Sequence, residues 1–201
     1  MAVEVAALVP VKAFDQAKAR LATALADDDR ERLAHWMATR VVVALQSIPC
    51  FVACDDERVA EWADTLGVGV LWGPGLGLNG AIDVGVETLA GKGADHVLIA
   101  HGDIARPERL ASVPVADTVV LVPDRRRDGT NVLCRPTHLE LPASYGAGSF
   151  GAHLTAALET GARVQVRADQ RLSIDIDTID DCRHPIAAAV LAPFLGEALT
   201  T

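Results

Sequence analysis

Residues able to do chemistry gather in a few short segments of the chain. Pro10-Val11-Lys12 is followed by Ala17-Lys18-Ala19-Arg20. The chain holds three lysines, Lys12, Lys18 and Lys92, and two of them fall in this stretch. On a chain of formal net charge −9, a local basic stretch suits a small anion. A lysine point charge beside an arginine fork could clamp a phosphate. The competing reading is a solvated loop and helix face. The stretch is neither the P-loop GxxxxGK[ST] nor the dinucleotide GxGxxG, and it lacks an LxGGxG start.

Three further segments carry groups of the same kind. In Gly73-Pro74-Gly75-Leu76-Gly77-Leu78-Asn79-Gly80, glycines let a backbone approach a ligand closely. There Asn79 offers a donor and an acceptor to a base edge. His101-Gly102-Asp103 ends the most apolar run of the chain. A carboxylate at such a strand end is well placed for a divalent cation, since hard cations take one or two carboxylates plus substrate phosphates. His101 reads as a core residue. In Ser173-Ile174-Asp175-Ile176-Asp177-Thr178, strand spacing puts Asp175 and Asp177 on one face. Two acids side by side repel unless a cation or a basic group joins them. Thr178 and Asp181 also have the spacing of a capping box, which offers Asp177 or Thr178 a structural role instead.

Two loops complete the set. Asp128-Gly129-Thr130-Asn131 opens a strand with hydroxyl and amide groups. Tyr145-Gly146-Ala147-Gly148-Ser149-Phe150 leads into a helix, where free N–H groups favour an anion and Ser149 equally suits an N-cap. Arg125, Arg126 and Arg127 form a short basic run that reads as solvated, with closure over phosphates as the alternative.

The elements that must position these groups alternate. VAALVP (5–10), FVAC (51–54), VGVLW (68–72), HVLIAHGD (96–103) and DTVVLVPD (117–124) read as strands. Between them AKARLATAL, the segment from Asp27 carrying Leu33, Met37, Val41 and Leu45 every four residues, DERVAEWADTLG and AIDVGVETLAG read as helices. Residues 106–112 read as a short helix. TNVLCRP, ARVQVRAD and RLSIDID read as further strands, SFGAHLTAALETG as a helix, and the segment from Thr178 as helical up to Pro193. Near-continuous Val/Ile/Leu strands alternating with helices predict one α/β domain over 1–201. Its sheet is mixed and mostly parallel, with helices on both faces. In such sheets ligands bind beyond the carboxyl ends of the strands, where the first four of these segments fall.

Composition narrows the partners. The 201 residues are 50% apolar and 22% charged, against a disordered chain. Net negative charge argues against nucleic acid and anionic membrane surfaces. No apolar run reaches the roughly 18–20 residues that span a bilayer, and the N-terminus makes a poor signal peptide. Cys50, Cys54, Cys134 and Cys182 show neither CxxC pairing nor zinc spacing, which fits a reduced, cytoplasmic compartment.

Taken in order, PVKAFDQAKARL, GLGLNGAI, HGDI, DGTNVL, YGAGSFGAHL and SIDIDTIDD resemble the 2-phospho-L-lactate guanylyltransferase family of coenzyme F-420 biosynthesis. The resemblance covers residues 5–182. It implies a Rossmann-like, nucleotide-diphospho-sugar transferase-like fold. It also implies transfer of GMP from GTP to a three-carbon phospho-acid (2-phospho-L-lactate, phosphoenolpyruvate or 3-phospho-D-glycerate), with release of pyrophosphate. By that resemblance Pro10, Lys12, Lys18 and Arg20 bind the nucleotide, the last three at its phosphates. Gly77 and Asn79 lie by the guanine. Asp103 with Asp175 or Asp177 ligates magnesium (Mg2+), and Thr130, Gly146 and Ser149 hold the phospho-acid. The catalytic set is Lys12, Lys18, Arg20 and Asp103. A homodimer is compatible, with the product passed to a downstream transferase of the same pathway.

The chain departs from the family pattern in places. Members often have proline after the GD dipeptide and inside the final acidic motif, where Ala105 and Ile179 stand nearby. An acidic residue commonly replaces Gly148. These differences bear on the acceptor pocket more than on the chemistry. TNVL and GSFGAHL look closer to archaeal and proteobacterial members than to actinobacterial ones, which counts against phosphoenolpyruvate. The alternatives are a molybdenum-cofactor-type guanylyl- or cytidylyltransferase and a nonenzymatic nucleotide-binding module.

Overall fold

The computed structural model of the chain describes residues 4–195. Its strands are β1 (Val5–Pro10), β2 (Cys50–Cys54), β3 (Gly69–Trp72), β4 (His96–Ala100), β5 (Thr118–Pro123), β6 (Thr130–Pro136) and β7 (Arg163–Val166). Its α-helices are α1 (Asp27–Ala44), α2 (Glu57–Thr65), α3 (Gly77–Gly91), α4 (Ser149–Glu159), α5 (Ile179–Arg183) and α6 (Pro185–Leu195). The seven strands form one sheet in the order β3-β2-β1-β4-β6-β5-β7. All neighbouring pairs are parallel except β4–β6 and β5–β6, so β6 alone runs against the sheet.

Both faces of the sheet are covered, which is why the central strands are apolar throughout rather than alternating. Successive residues of β1 serve opposite faces. Ala7 and Val9 pack with Val41 and Val42 of α1 and Trp62 of α2. Ala6 and Leu8 pack with Ile82 and Leu89 of α3 and Phe150 of α4. The four-residue repeat of α1 faces inward as expected, with Leu33, Met37, Val41 and Leu45 at most 1% exposed. Each such aliphatic side chain contributes roughly 1.5–3 kcal/mol by leaving water. A third cluster joins Leu21, Leu33 and Met37 to Ile174, Ile176 and Leu191. Among the described residues no helix is long and apolar enough to cross a membrane.

The strand order reverses between β1 and β4, so the chain leaves those two neighbours in opposite directions. A crevice opens at their carboxyl ends, the usual ligand position in open α/β sheets. Lys12 follows β1 and Asp103 follows β4, which places both at that crevice.

Three expected elements differ. AKARLATAL is not an α-helix. It forms short 3-10 turns at Phe14–Gln16 and Ala19–Leu21, with Lys18 between them in the left-handed region at φ 57°. RLSIDID makes no continuous strand. It crosses the end of β4 through a single bridge, Ile104 to Asp175, with Ala105 N–H donating to Ile174 O and Ile176 N–H to Asp103 O. The last helical segment is two helices, broken at His184, and it runs past Pro193 to Leu195.

Candidate active site

A cavity of about 700 Å³ opens at the carboxyl ends of β1, β2 and β4. Its wall includes Pro10, Lys12, Lys18, Gly77, His101, Asp103 and Asp177. That is within the range of small-molecule sites.

The Lys18 ammonium lies at its floor. Its Nζ donates to Asp103 Oδ2 at 2.7 Å and to Asp177 Oδ1 at 3.0 Å, and its side chain is 7% exposed. The left-handed backbone of Lys18 is uncommon for a side chain of this size, and such strain persists where surrounding contacts enforce it. Here two carboxylates fix the ammonium, and Phe14 fixes the loop. The Phe14 ring is buried edge-on against His35 of α1 and Trp62 of α2.

The charges at this point are strongly coupled. Burial disfavours the Lys18 charge, but Asp103 and Asp177 outweigh it and hold its pKa above the ordinary lysine value. Burial also pushes the Asp103 carboxyl up, yet Lys18 and then His101 bring it below the carboxylate range. Asp175 has no such partner. Burial, then Asp103, push its carboxyl up to about 7, against an amide contact from Asn131 at 3.4 Å.

The two acids of SIDID therefore divide the work. Asp177 pairs with Lys18, while Asp175 makes no ion pair among the described residues and feels the Asp103 charge. The capping box is also present. Thr178 Oγ1 accepts from Asp181 N–H, and Asp181 Oδ2 accepts from Thr178 N–H. Asp181 carries that role, leaving Asp177 for the ion pair.

The donor set fits a hard cation. Among the described residues Asp103 Oδ1 is buried without a hydrogen-bond partner, and Asp175 makes no ion pair. Among the described residues no cluster of three or more metal-binding side chains is preassembled. Mg²⁺ asks for less, since it keeps several waters and takes one or two carboxylates with substrate phosphates.

Lys12 stands exposed in the cavity wall and makes no ion pair among the described residues. Arg20 is 74% exposed in its side chain, and its Nη1 lies 3.8 Å from Asp177 Oδ2. His101, expected in the core, lines the cavity instead, its Nε2 buried without a partner and its pKa lowered by burial.

Asn79 turns its side chain to the backbone of Tyr145. Oδ1 accepts from Tyr145 N–H at 2.7 Å, and Nδ2 donates to Tyr145 O at 3.2 Å. One N–H and one oxygen lone pair of the amide stay available to a base edge. Its function is to pin the 145–148 loop to the first turn of α3. Gly77, at φ +64°, opens that turn and lines the cavity.

Thr130, Gly146 and Ser149 gather outside the cavity wall, around the start of α4. Gly148, at φ 72°, is the N-cap of that helix, so Ser149 is its first residue rather than its cap. Ser149 Oγ accepts from Thr130 N–H at 3.0 Å. His153, one turn further along α4, completes the cluster. Its Nδ1 lies 3.0 Å from Thr130 Oγ1, and its Nε2 accepts from Ser144 N–H at 3.0 Å. The sequence reading passed over His153, although four-residue spacing from Ser149 puts both on one helix face. Asn131, next to Thr130, reaches Asp175 with its amide.

The basic run is not simply solvated. Arg125 donates through Nε and Nη2 to Asp181 Oδ1 at 3.1 and 2.6 Å, and Arg127 stacks over Phe150. The run fastens the β5–β6 turn to α5 and α4.

Known proteins agree with this architecture. The chain is 35% identical over 184 residues to the phosphoenolpyruvate guanylyltransferase of Rubrobacter xylanophilus, covering 87% of this chain and 90% of that one. It is 32% identical to the 2-phospho-L-lactate guanylyltransferase of Methanothermobacter thermautotrophicus, over 87% and 81%. A solved structure from Desulfovibrio desulfuricans G20, described as a nucleotide-diphospho-sugar transferase, superposes with a TM-score of 0.75 at 14% identity, over 98% and 99%. At that identity it speaks for the fold, which is the expected one. Neither alternative function is favoured by these matches. The family model described as "Guanylyl transferase CofC like" matches residues 5–186, and the chain belongs to that family of nucleotidyltransferases.

Proposed function

We propose that the chain transfers GMP from GTP to phosphoenolpyruvate, in coenzyme F-420 biosynthesis, with pyrophosphate released. The choice of acceptor rests on the Rubrobacter relative's name and similarity, which weigh against the lean drawn from TNVL and GSFGAHL. 2-Phospho-L-lactate is the second candidate, by the Methanothermobacter relative. The acceptors differ by a methyl or a double bond, so a pocket separates them by only about 10–200-fold.

The observation that carries the site assignment is the buried Lys18 between Asp103 and Asp177, beside an unpartnered Asp103 Oδ1. In this reading an oxygen of the acceptor's phosphate attacks the α-phosphorus of GTP in line. The new P–O bond forms as the α–β phosphoanhydride breaks, and the electron pair leaves with pyrophosphate. Two anions must approach, so charge neutralisation is the main task. Lys12, Lys18 and Arg20 hold the phosphates and the leaving pyrophosphate, with Pro10 and Gly77 lining the nucleotide's place. Asp103 and Asp175 would hold Mg²⁺, which when bound screens phosphate charge and orients the oxygens. Thr130, Gly146 and Ser149 hold the phospho-acid. The buried thiols fit a reduced cytoplasm, and the product would pass to the next transferase of the pathway. Light scattering tests whether the enzyme is a homodimer.

The test is pyrophosphate release from GTP and Mg²⁺ with phosphoenolpyruvate, 2-phospho-L-lactate and 3-phospho-D-glycerate in parallel, and with ATP and CTP as controls. Release with GTP and phosphoenolpyruvate, abolished by EDTA, is the expected result. Release with another acceptor alone replaces the substrate. Undiminished turnover in EDTA removes the metal.

A further inference from the structure

The hydroxyls of Thr130 and Ser149 have a polarity fixed by their neighbours. Ser144 N–H can only donate, so His153 Nε2 must present its lone pair to it. The imidazole proton then resides on Nδ1, which faces Thr130 Oγ1 at 3.0 Å and donates to it. Ser149 Oγ accepts in the same way from Thr130 N–H. Each hydroxyl therefore has an acceptor position filled by a protein N–H, while neither hydroxyl hydrogen finds a protein acceptor among the described residues. Both side chains are nearly buried, Thr130 at 3% and Ser149 at 2%. Two buried O–H donors left without a protein acceptor among the described residues suit an anionic oxygen.

We propose that His153 is a positioning residue that sets the Thr130 hydroxyl as a donor toward the acceptor's anionic oxygens. The imidazole is fully buried and touches both halves of the subsite. It binds β6 at Thr130 and the 144–148 loop at Ser144, while its own helix starts with Ser149. One side chain thus fixes the spacing of three segments as well as one rotor. The inference deepens the acceptor reading above and rests on it.

Two variants divide the two contacts. In His153→Gln the side-chain carbonyl can take the place of Nε2 at Ser144, but no donor faces Thr130. In His153→Asn the amide nitrogen can take the place of Nδ1 and still donate. His153→Gln is expected to raise the KM for the phospho-acid about tenfold, the scale of one hydrogen bond to a charged group, with the KM for GTP unchanged. His153→Asn is expected to stay within about threefold of wild type for the same KM. An unchanged acceptor KM in His153→Gln, or equal increases for both substrates, overturns the proposal.

A wild-type measurement guards against a variant that does not fold. Nitrogen-15 NMR of labelled enzyme, with the signal assigned by its loss in His153→Asn, or by contacts to Ser144 if that variant fails, should show the Nδ1–H tautomer. An Nε2–H tautomer reverses the Thr130 hydroxyl and overturns the proposal whatever the kinetics. A wild-type enzyme silent with every phospho-acid fails the guanylyl-transfer reading instead, and the tautomer still decides the polarity of the hydroxyls.

Discussion

Removing the Lys18 ammonium should change both the size and the pH slope of stability. At 2.7 Å and an effective dielectric of 20, its attraction to Asp103 is about 6 kcal/mol before desolvation is counted. The Asp177 contact is weaker, because that side chain is 42% exposed and screened, which leaves about 1 kcal/mol or less. Burying the ammonium costs several kcal/mol in return, so the pair itself nets little. Lys18→Met removes the cation but leaves Asp103 buried, and breaking a buried pair in that way costs about 3–5 kcal/mol near neutral pH. In the wild type Asp103 lies below its unfolded value, so its contribution is present above about pH 4 and is lost as the pH falls further. In Lys18→Met burial acts without the cation, and the carboxyl moves above its unfolded value. The variant should then gain stability relative to wild type as the pH drops from 8 to 5, since the slopes set by His153 and Asp175 are common to both. Urea midpoints by circular dichroism at pH 5, 6, 7 and 8 read this directly. Parallel curves, or a loss under about 1 kcal/mol at pH 8, would refute the buried ion pair.

Other expectations follow from single contacts. Asp103→Asn should fold and lose about 10²–10³-fold in turnover, the cost of one preorganised electrostatic group; near-full turnover removes Asp103 from the chemistry. Asn79→Ala unties both hydrogen bonds to Tyr145 and should cost about 1–3 kcal/mol, with faster amide exchange across 144–148. Gly85→Ala places a Cβ 2.7 Å from Leu8 Cδ2 across the α3–β1 contact, so a loss of about 1–3 kcal/mol in thermal unfolding is expected. His153 is pushed down to about 4 by burial, then by His101, with Asp83 opposing. Its folded value lies below its unfolded one, so stability held above about pH 6.5 is lost as the pH falls toward 4. The drop in urea midpoint over that window should be shallower in His153→Asn.

Most strands were legible because burial on both faces leaves an uninterrupted apolar run bounded by polar turns. TNVLCRP coincides with β6, and VAALVP with β1. The segment from Ala17 to Leu25 was not legible. Its alanines and Leu21 favour a helix, but propensity differences are tenths of a kcal/mol per residue. The ion pairs of Lys18 outweigh them and hold that residue left-handed. RLSIDID alternates as a strand does because Ile174 and Ile176 enter a core cluster while Asp175 and Asp177 stay out of it. Periodicity reports that alternation, not whether a neighbouring strand is free to pair. At the site, residue types pointed to phosphate and cation chemistry. The use of Asn79 on a backbone, and of His153 behind Thr130, depends on which loops fold next to one another, and spacing does not carry that.

The division between lysine and arginine in this chain is itself an argument about the site. Fifteen of the eighteen basic residues are arginines. Many act as fasteners, joining Arg40 to Glu108, Arg109 to Asp169 and Arg125 to Asp181. Arg135 donates to the carbonyl oxygens of Leu139 and Leu141. A planar fork of fixed donors suits joints that should not change. Two of the three lysines stand at the cavity instead. An ammonium is a compact charge on a flexible stem, with three donors and no required plane. It can turn from carboxylate to phosphate oxygens as a nucleotide enters, which a bidentate arginine does poorly. Lys18→Arg should therefore be a poor substitute for Lys18 although the charge is kept. A guanidinium spreads its donors over a plane where a single Nζ now meets both carboxylates, and turnover should fall by at least about tenfold while GTP still binds. An arginine variant with wild-type turnover would show that charge alone, not the mobility and size of the ammonium, is what this position requires.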